Sequence, residues 1–279
     1  MKTSPIRRIL VPLDASTYTD AATELACDVA LKHEAGLEGL AAIDTPSIRR
    51  EVAPADMMLW PAVIDAIGKA EHDCRASITS AREKFAAVCN SKGATHHETQ
   101  IEGLPSNLIL EVSAVYDLVV MGLRTYFHYE KHGVGDSLAK VLDRTASPVL
   151  AVPQSVGKLE RVLIAYDGSF SAGRALRDFA GFAQPFNFEV TLFTAHENEE
   201  QAEQLLARAG ACLRAHEIGF QTVTSKKPAM VSVYEDGLID GADLVVAGIH
   251  ARKFIKDAFV GSFTNQLIER EDTALFLSH

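Results

Sequence analysis

"RRILVPLDAS", residues 7–16, is a short apolar run that stops at Asp14 and is followed by two small residues. The chain writes it again as "ERVLIAYDGS", residues 160–169, with Asp167 at the same place. A run that is apolar at consecutive positions, not alternate ones, suits a strand covered on both faces. A second pair of runs repeats in the same order, "YDLVVMG" at 116–122 and "ADLVVAG" at 242–248. Asp14 lies 108 positions before Gly122 and Asp167 lies 81 before Gly248, so the first copy holds 27 extra residues between these marks. Beyond the glycines the register is common again: Gly122 to Gly135 and Gly248 to Gly261 are both 13 positions. Few residues are identical, but the landmarks keep one order, and the chain reads as a tandem repeat.

Strand and helix patterns alternate between the landmarks. In the first copy strands are expected at 8–13, 39–43, 96–101, 118–121 and 149–152, and helices at 21–32, 63–90, 106–114 and 137–144. The second copy repeats this with strands at 161–165, 189–194, 220–224, 244–247 and 274–277, and helices at 173–183, 199–217, 230–239 and 262–270. Short apolar strands separated by helices give a parallel sheet with helices on both faces. The expected fold class is therefore α/β, two tandem doubly wound domains, each with a five-stranded parallel sheet and its ligands at the carboxyl ends of the strands. "PQSVGKLE" at 153–160 has Pro, Ser and Gly and no apolar period, which places the expected domains at 1–153 and 160–279.

Composition narrows the function classes. The 279 residues are 47% hydrophobic and 23% charged, ordinary for a soluble globular chain. A net charge of −10 argues against nucleic acid or an anionic membrane surface as partner. No run approaches the ~20 apolar residues of a membrane span, and the run after Arg8 is far shorter than a signal-peptide core. Cys27, Cys74, Cys89 and Cys212 have no paired spacing, so free thiols in a reducing cytoplasm are expected, not a disulfide frame or a metal site.

The candidate site lies at the carboxyl ends of the first and fourth strands of the second copy. Gly248 ends a strand, so a phosphate can approach its backbone without meeting a Cβ. Gly261-Ser262 opens a helix, where free N–H groups, the helix dipole and a hydroxyl all favour an anion. Asp167 can accept from ribose hydroxyls or cap the helix that follows. Each residue also has a plain reading as a turn glycine or a helix cap. The weight comes from finding them together at one end of one sheet.

The spacing G-x2-G-x9-G-[S/T] after an apolar strand, the strand ending in Asp and then a small residue and Ser, the "DLVVxG" strand, and the closing "ASPVLAVP" at 146–153 together resemble the universal stress protein family. The resemblance covers nearly the whole chain, twice. It implies a stress-response protein of five-stranded α/β units, some of which bind ATP or AMP and some neither. Carried onto the second copy it implies an adenine nucleotide, with Mg²⁺ accompanying ATP, held by Asp167, Ala195, Gly248, Ala251, Gly261 and Ser262. Ala251 departs from the family's second glycine; Ala195 stands near the strand-two end whose backbone reads adenine in the family. Arg252, Lys253 and Lys256 lie between the glycines, and can screen a triphosphate or form a solvated loop.

The first copy reads Gly122, Thr125 and Gly135-Asp136. Asp136 puts a carboxylate where the anion-binding hydroxyl belongs, and two like charges ~4 Å apart cost about 1 kcal/mol in water and more in a cleft. This copy is expected not to hold ATP. Residues 45–68, with the chain's only Trp, follow strand two; they form a lid, a partner surface or a helix packed on the domain's own core. "FHYEKH" at 127–132 and the adjacent His96-His97 lack the ligand pattern of a metal site. No G-x-S-x-G, Walker loop or Cys–His set suggests catalysis. An ATP-hydrolysing enzyme of related architecture and a nucleotide-independent pseudo-dimeric scaffold with a protein partner are the competing readings. The resemblance also implies that the closing strands pair, giving an intramolecular pseudo-dimer and leaving a further homodimer open.

Overall fold

The computed structural model describes residues 6–52, 60–124, 137–249 and 263–279. The first half runs β1 (Arg8–Leu13), α1 (Thr17–His33), β2 (Gly36–Ile43), α2 (Thr45–Val52), α3 (Pro61–Lys92), β3 (His96–Glu102), α4 (Pro105–Ser113), β4 (Leu118–Gly122), α5 (Ser137–Leu142) and β5 (Val149–Val152). The second runs β6 (Arg161–Ala165), α6 (Phe170–Phe182), β7 (Glu189–Ala195), α7 (Glu199–Ala215), β8 (Phe220–Ser225), α8 (Ala229–Tyr234), β9 (Leu244–Gly248), α9 (Phe263–Arg270) and β10 (Ala274–Ser278). Residues 153–160 carry neither helix nor strand.

The described strands form one sheet of ten, in the order β3-β2-β1-β4-β5-β10-β9-β6-β7-β8. Within each half the strands are parallel. At the centre β10 meets β5 antiparallel, Leu275 opposite Ala151 and Phe276 opposite Leu150. A palindromic order about an antiparallel pair is an approximate two-fold inside one chain. The expected five-stranded sheets are both present, fused edge to edge. The edges that remain are β3 and β8, while β5 and β10 are fully buried.

Two helix starts lie earlier than periodicity places them, and the reason is local. Ser16 and Ser169 cap α1 and α6, their hydroxyls accepting from Thr19 N and Ala172 N at 3.3 Å and 3.2 Å. The polar first turn of α1 and the small first turn of α6 hide these starts from an apolar pattern, but the caps fix them. In the other direction α8 stops at Tyr234, five residues before the expected end, and Gly237 then takes a positive φ of 72°. The segment after strand two settles in part. Ile48 of α2 is fully buried against Ala41, Ile43, Cys74 and Ile78, so this stretch packs on its own half. Residues 53–59 lie outside the described residues.

The halves share a core. Phe179, Phe182, Phe186 and Phe188 of the second half gather round Phe276 of β10. His33, at the end of α1 in the first half, is inserted into this group, 5.8 Å from both Phe182 and Phe186 and 1% exposed. Burial drives its pKa down to about 4, against a hydrogen bond to the Phe182 backbone; Arg7 lowers it further. The unfolded chain binds this proton below about pH 6.5 and the folded chain does not until about pH 4, so stability falls as pH drops through that window. The expected loss is roughly 3 kcal/mol by pH 4, the energy of two to three pKa units. Urea unfolding of wild type and His33→Leu from pH 7 to pH 4 checks this: the variant should show a shallower decline, and parallel curves would assign the acid sensitivity elsewhere.

Candidate functional site

Asp167 lies just beyond β6. The backbone turns there through Gly168, whose φ of +80° favours glycine. Asp167 Oδ1 accepts from Ser169 N at 2.9 Å, and Ser169 in turn caps α6. The aspartate therefore positions the capping serine and is not the cap itself. The first half repeats the device: Asp14 accepts from Ser16 N at 2.9 Å, from Ser16 Oγ at 2.6 Å and from the Thr19 hydroxyl. The two aspartates differ in environment. Asp14 is 3% exposed and accepts three bonds at one oxygen, whereas Asp167 is exposed. Asp167, just past β6, and Ala195 and Gly248, which end β7 and β9, lie on one rim of the sheet, where these three strands are neighbours.

The structure supplies a reason for Gly248 that involves no ligand. A Cβ there would lie 2.4 Å from Ala172 N and 2.5 Å from the Ser171 carbonyl carbon. At Gly122 it would lie 2.5 Å from Tyr18 Cβ. Each glycine ends its strand because the first turn of the neighbouring helix rests directly on it. Ala251, Gly261 and Ser262 lie outside the described residues, as do Arg252, Lys253, Lys256, residues 127–132, Thr125, Gly135 and Asp136. The residues flanking 250–262 are both tied to the strand end: Ile249 N donates to Ser278 O at 2.8 Å and the Thr264 hydroxyl to Gly248 O at 3.2 Å.

A cleft of about 720 Å³ opens beside the start of α6, within the size range of small-molecule sites. Ser169, Phe170, Ser171, Arg174, Arg177, Ile249 and His279 line it. Arg174 and Arg177 are exposed one turn apart; Arg177 lies 3.7 Å from Asp178, and Arg174 has no ion pair among the described residues. Sequence reading missed these cations. The signal was available, two arginines three apart in the helix that follows the strand-one aspartate. His279 gave no signal, since only the fold carries the chain end to this rim.

The first half closes the matching place. The offset of 153 that aligns Asp14 with Asp167 puts Tyr18 opposite Ser171 and Ala21 opposite Arg174. The Tyr18 hydroxyl donates to one oxygen of Glu271, and Arg124 Nε donates to the other at 2.5 Å. Glu271 belongs to the second half and is held at a φ of 58°. Burial raises its pKa, but the bonds from Tyr18 and Arg124 outweigh that and hold the carboxyl below its ordinary range. A carboxylate from one half thus neutralises the cation at the rim of the other.

The family model for the universal stress protein family matches residues 5–153. The chain belongs to the universal stress protein family. A universal stress protein of a Synechocystis strain is 24% identical over an aligned length of 165 residues, covering 56% of this chain and 55% of the relative, so the match spans about half of each protein. Among solved structures, a universal stress protein from Archaeoglobus fulgidus superposes with a TM-score of 0.70 at 19% identity, covering 97% of this chain and 95% of the other. A putative universal stress protein from Pseudomonas aeruginosa gives 0.59 at 16% identity, covering 100% and 95%. At these identities the structures establish a shared fold along the whole length of this universal stress protein. No helix among the described residues is long and apolar enough to cross a membrane, and no group of three or more His, Cys, Asp or Glu there is arranged to hold a metal ion.

Proposed function

We propose that this universal stress protein binds one adenine nucleotide per chain, ATP or AMP, at the rim of the second half. The reading also takes the two halves as domains, 1–153 and 160–279. One contrast carries it: the second half has an open cleft flanked by Arg174 and Arg177, while the first half has Tyr18 and Glu271 at the corresponding rim. Asp167, exposed at the rim, is proposed to accept from ribose hydroxyls, and the paired arginines suit phosphate oxygens. Gly261 and Ser262 are proposed to meet the phosphates, and any Mg²⁺ would be held chiefly by those phosphates. The protein is read as a nucleotide sensor in a stress response, not as an enzyme.

Calorimetric titration with ATP is expected to give one site per chain. Ser262→Asp, which copies the first-half residue Asp136, should abolish it. Absence of heat at millimolar ATP would overturn the reading. Asp136→Ser, Thr125→Gly and Glu271→Gln test the first half separately. A second site appearing with Asp136→Ser alone would assign the barrier to that charge. A second site that also needs Glu271→Gln would assign it to the cross-half carboxylate.

The alternative is a scaffold that uses the fold without nucleotide, and one observation favours it: strand–helix contact alone accounts for Gly248 and for the Asp167–Ser169 turn. A melting temperature unchanged by saturating ATP would support it, because a ligand that binds only the folded chain must stabilise it.

A further inference from the structure

α1 and α3 pack together on one face of the sheet, and their contact brings two cysteines side by side. Cys27 Sγ and Cys89 Sγ are 3.5 Å apart, from positions 62 residues apart in sequence, and neither side chain is exposed. We propose that Cys27 and Cys89 form a dithiol that hydrogen peroxide, or an equally small neutral hydroperoxide, closes to a disulfide.

Three features support it. The first is distance: a disulfide needs sulfurs about 2 Å apart, so closure asks the two side chains to move together by about 1.5 Å. The second is that the pair is unequal. The two sulfurs share a hydrogen bond in which either can donate, and it favours a thiolate on the acceptor; at Cys27 burial opposes this, the Lys92 ammonium helps, and Glu24 and Asp28, which hold Lys92 at 2.8 Å and 2.7 Å, oppose it. Cys89 is pushed the other way, first by that same hydrogen bond and then by burial. A thiolate on one sulfur can attack while the neighbouring thiol, 3.5 Å away, stands in place to resolve. The third is burial: with neither side chain exposed, a bulky disulfide such as oxidised glutathione, which must form a mixed-disulfide intermediate, is hindered more than a small neutral hydroperoxide.

The reaction balances with peroxide alone. The Cys27 thiolate attacks one peroxide oxygen, the O–O bond breaks, and hydroxide leaves to become water on taking a proton. The Cys89 thiol then loses its proton, its sulfur attacks the Cys27 sulfenic acid, and the S–O bond breaks to release a second water. Two thiols lose two electrons and one peroxide gains them. Cys74, buried with no second cysteine in contact, and Cys212, partly buried in the second half, serve as internal comparisons. The plain alternative is that Cys27 and Cys89 are small apolar fillers of the helix contact, which predicts no selective reaction.

The test uses the intact wild-type chain. After brief exposure to hydrogen peroxide and blocking of remaining thiols, non-reducing peptide mapping should find Cys27 linked to Cys89. Free thiols should fall from four to two, and a reductant should restore them. The linked protein should melt about 5 °C higher or more, as expected when a loop of this length is closed. Oxidised glutathione should react markedly more slowly at this pair. In Cys89→Ser, a sulfenic-acid probe should label Cys27. Oxidation of Cys212 or Cys74 ahead of the pair, loss of thiols without the linked peptide, or faster closure by oxidised glutathione would each overturn the proposal.

Discussion

Removal of residues 274–279 is expected to leave a chain that neither stays soluble nor unfolds cooperatively. β10 is a short apolar run that the sequence already leads us to expect to pair with the closing strand of the first half. In the fold it is an interior strand. Leu275 and Leu277 are fully buried on one face and Phe276 on the other, and the strand pairs with β9 on one side and β5 on the other. Its loss would expose two strand edges at the centre of the sheet and a group of phenylalanines with nothing over them, and exposed edges of that kind recruit other chains. Phe276→Ala is the milder version and should cost about 3–5 kcal/mol. Sedimentation together with denaturant unfolding reads both variants. A truncated chain as soluble and as stable as the full one would refute the joining role of β10.

Gly248→Ala is expected to destabilise the protein with no nucleotide present, by about 3 kcal/mol or more. A methyl group 2.4 Å from the backbone nitrogen of Ala172 cannot be accommodated by turning a side chain. Either α6 lifts off the end of β9 or the strand shifts, and overpacking that moves backbone lies at the upper end of its usual cost. Gly122→Ala should behave alike, since the added methyl meets Tyr18 Cβ and lies 3.3 Å from the Tyr18 carbonyl carbon. The measurement separates two explanations of the same residue. A glycine kept only for a phosphate would give a variant with a normal melting temperature and lost ATP binding. A glycine kept for strand–helix contact lowers the melting temperature first, and any binding defect follows.

The fold was largely legible from the repeated strand and glycine landmarks. Parallel strands buried on both faces leave consecutive apolar residues, and this signal survives in "RILVPL", "RVLIA", "LVVMG" and "LVVAG". Helix starts were less legible, because Ser16 and Ser169 act through single hydrogen bonds that leave no periodicity. The rim residues Asp167, Ala195 and Gly248 could be placed on one edge from sequence, since strand ends in a parallel sheet share a side. What the sequence did not reveal was the contrast between Asp14 and Asp167, alike in sequence but one buried under its own turn and the other exposed.

By itself, then, the sequence determined the repeat, the doubly wound order of each half and the edge of the sheet that the strand-end residues share, because these follow from local pattern and from chain direction. Tertiary structure alone decided the contacts between residues far apart in the chain. His33 sits among phenylalanines of the other half, Glu271 answers Tyr18 and Arg124, and Cys27 touches Cys89. None of these pairs has a local signature, since the free energy that selects them is burial and charge pairing between residues far apart in the chain.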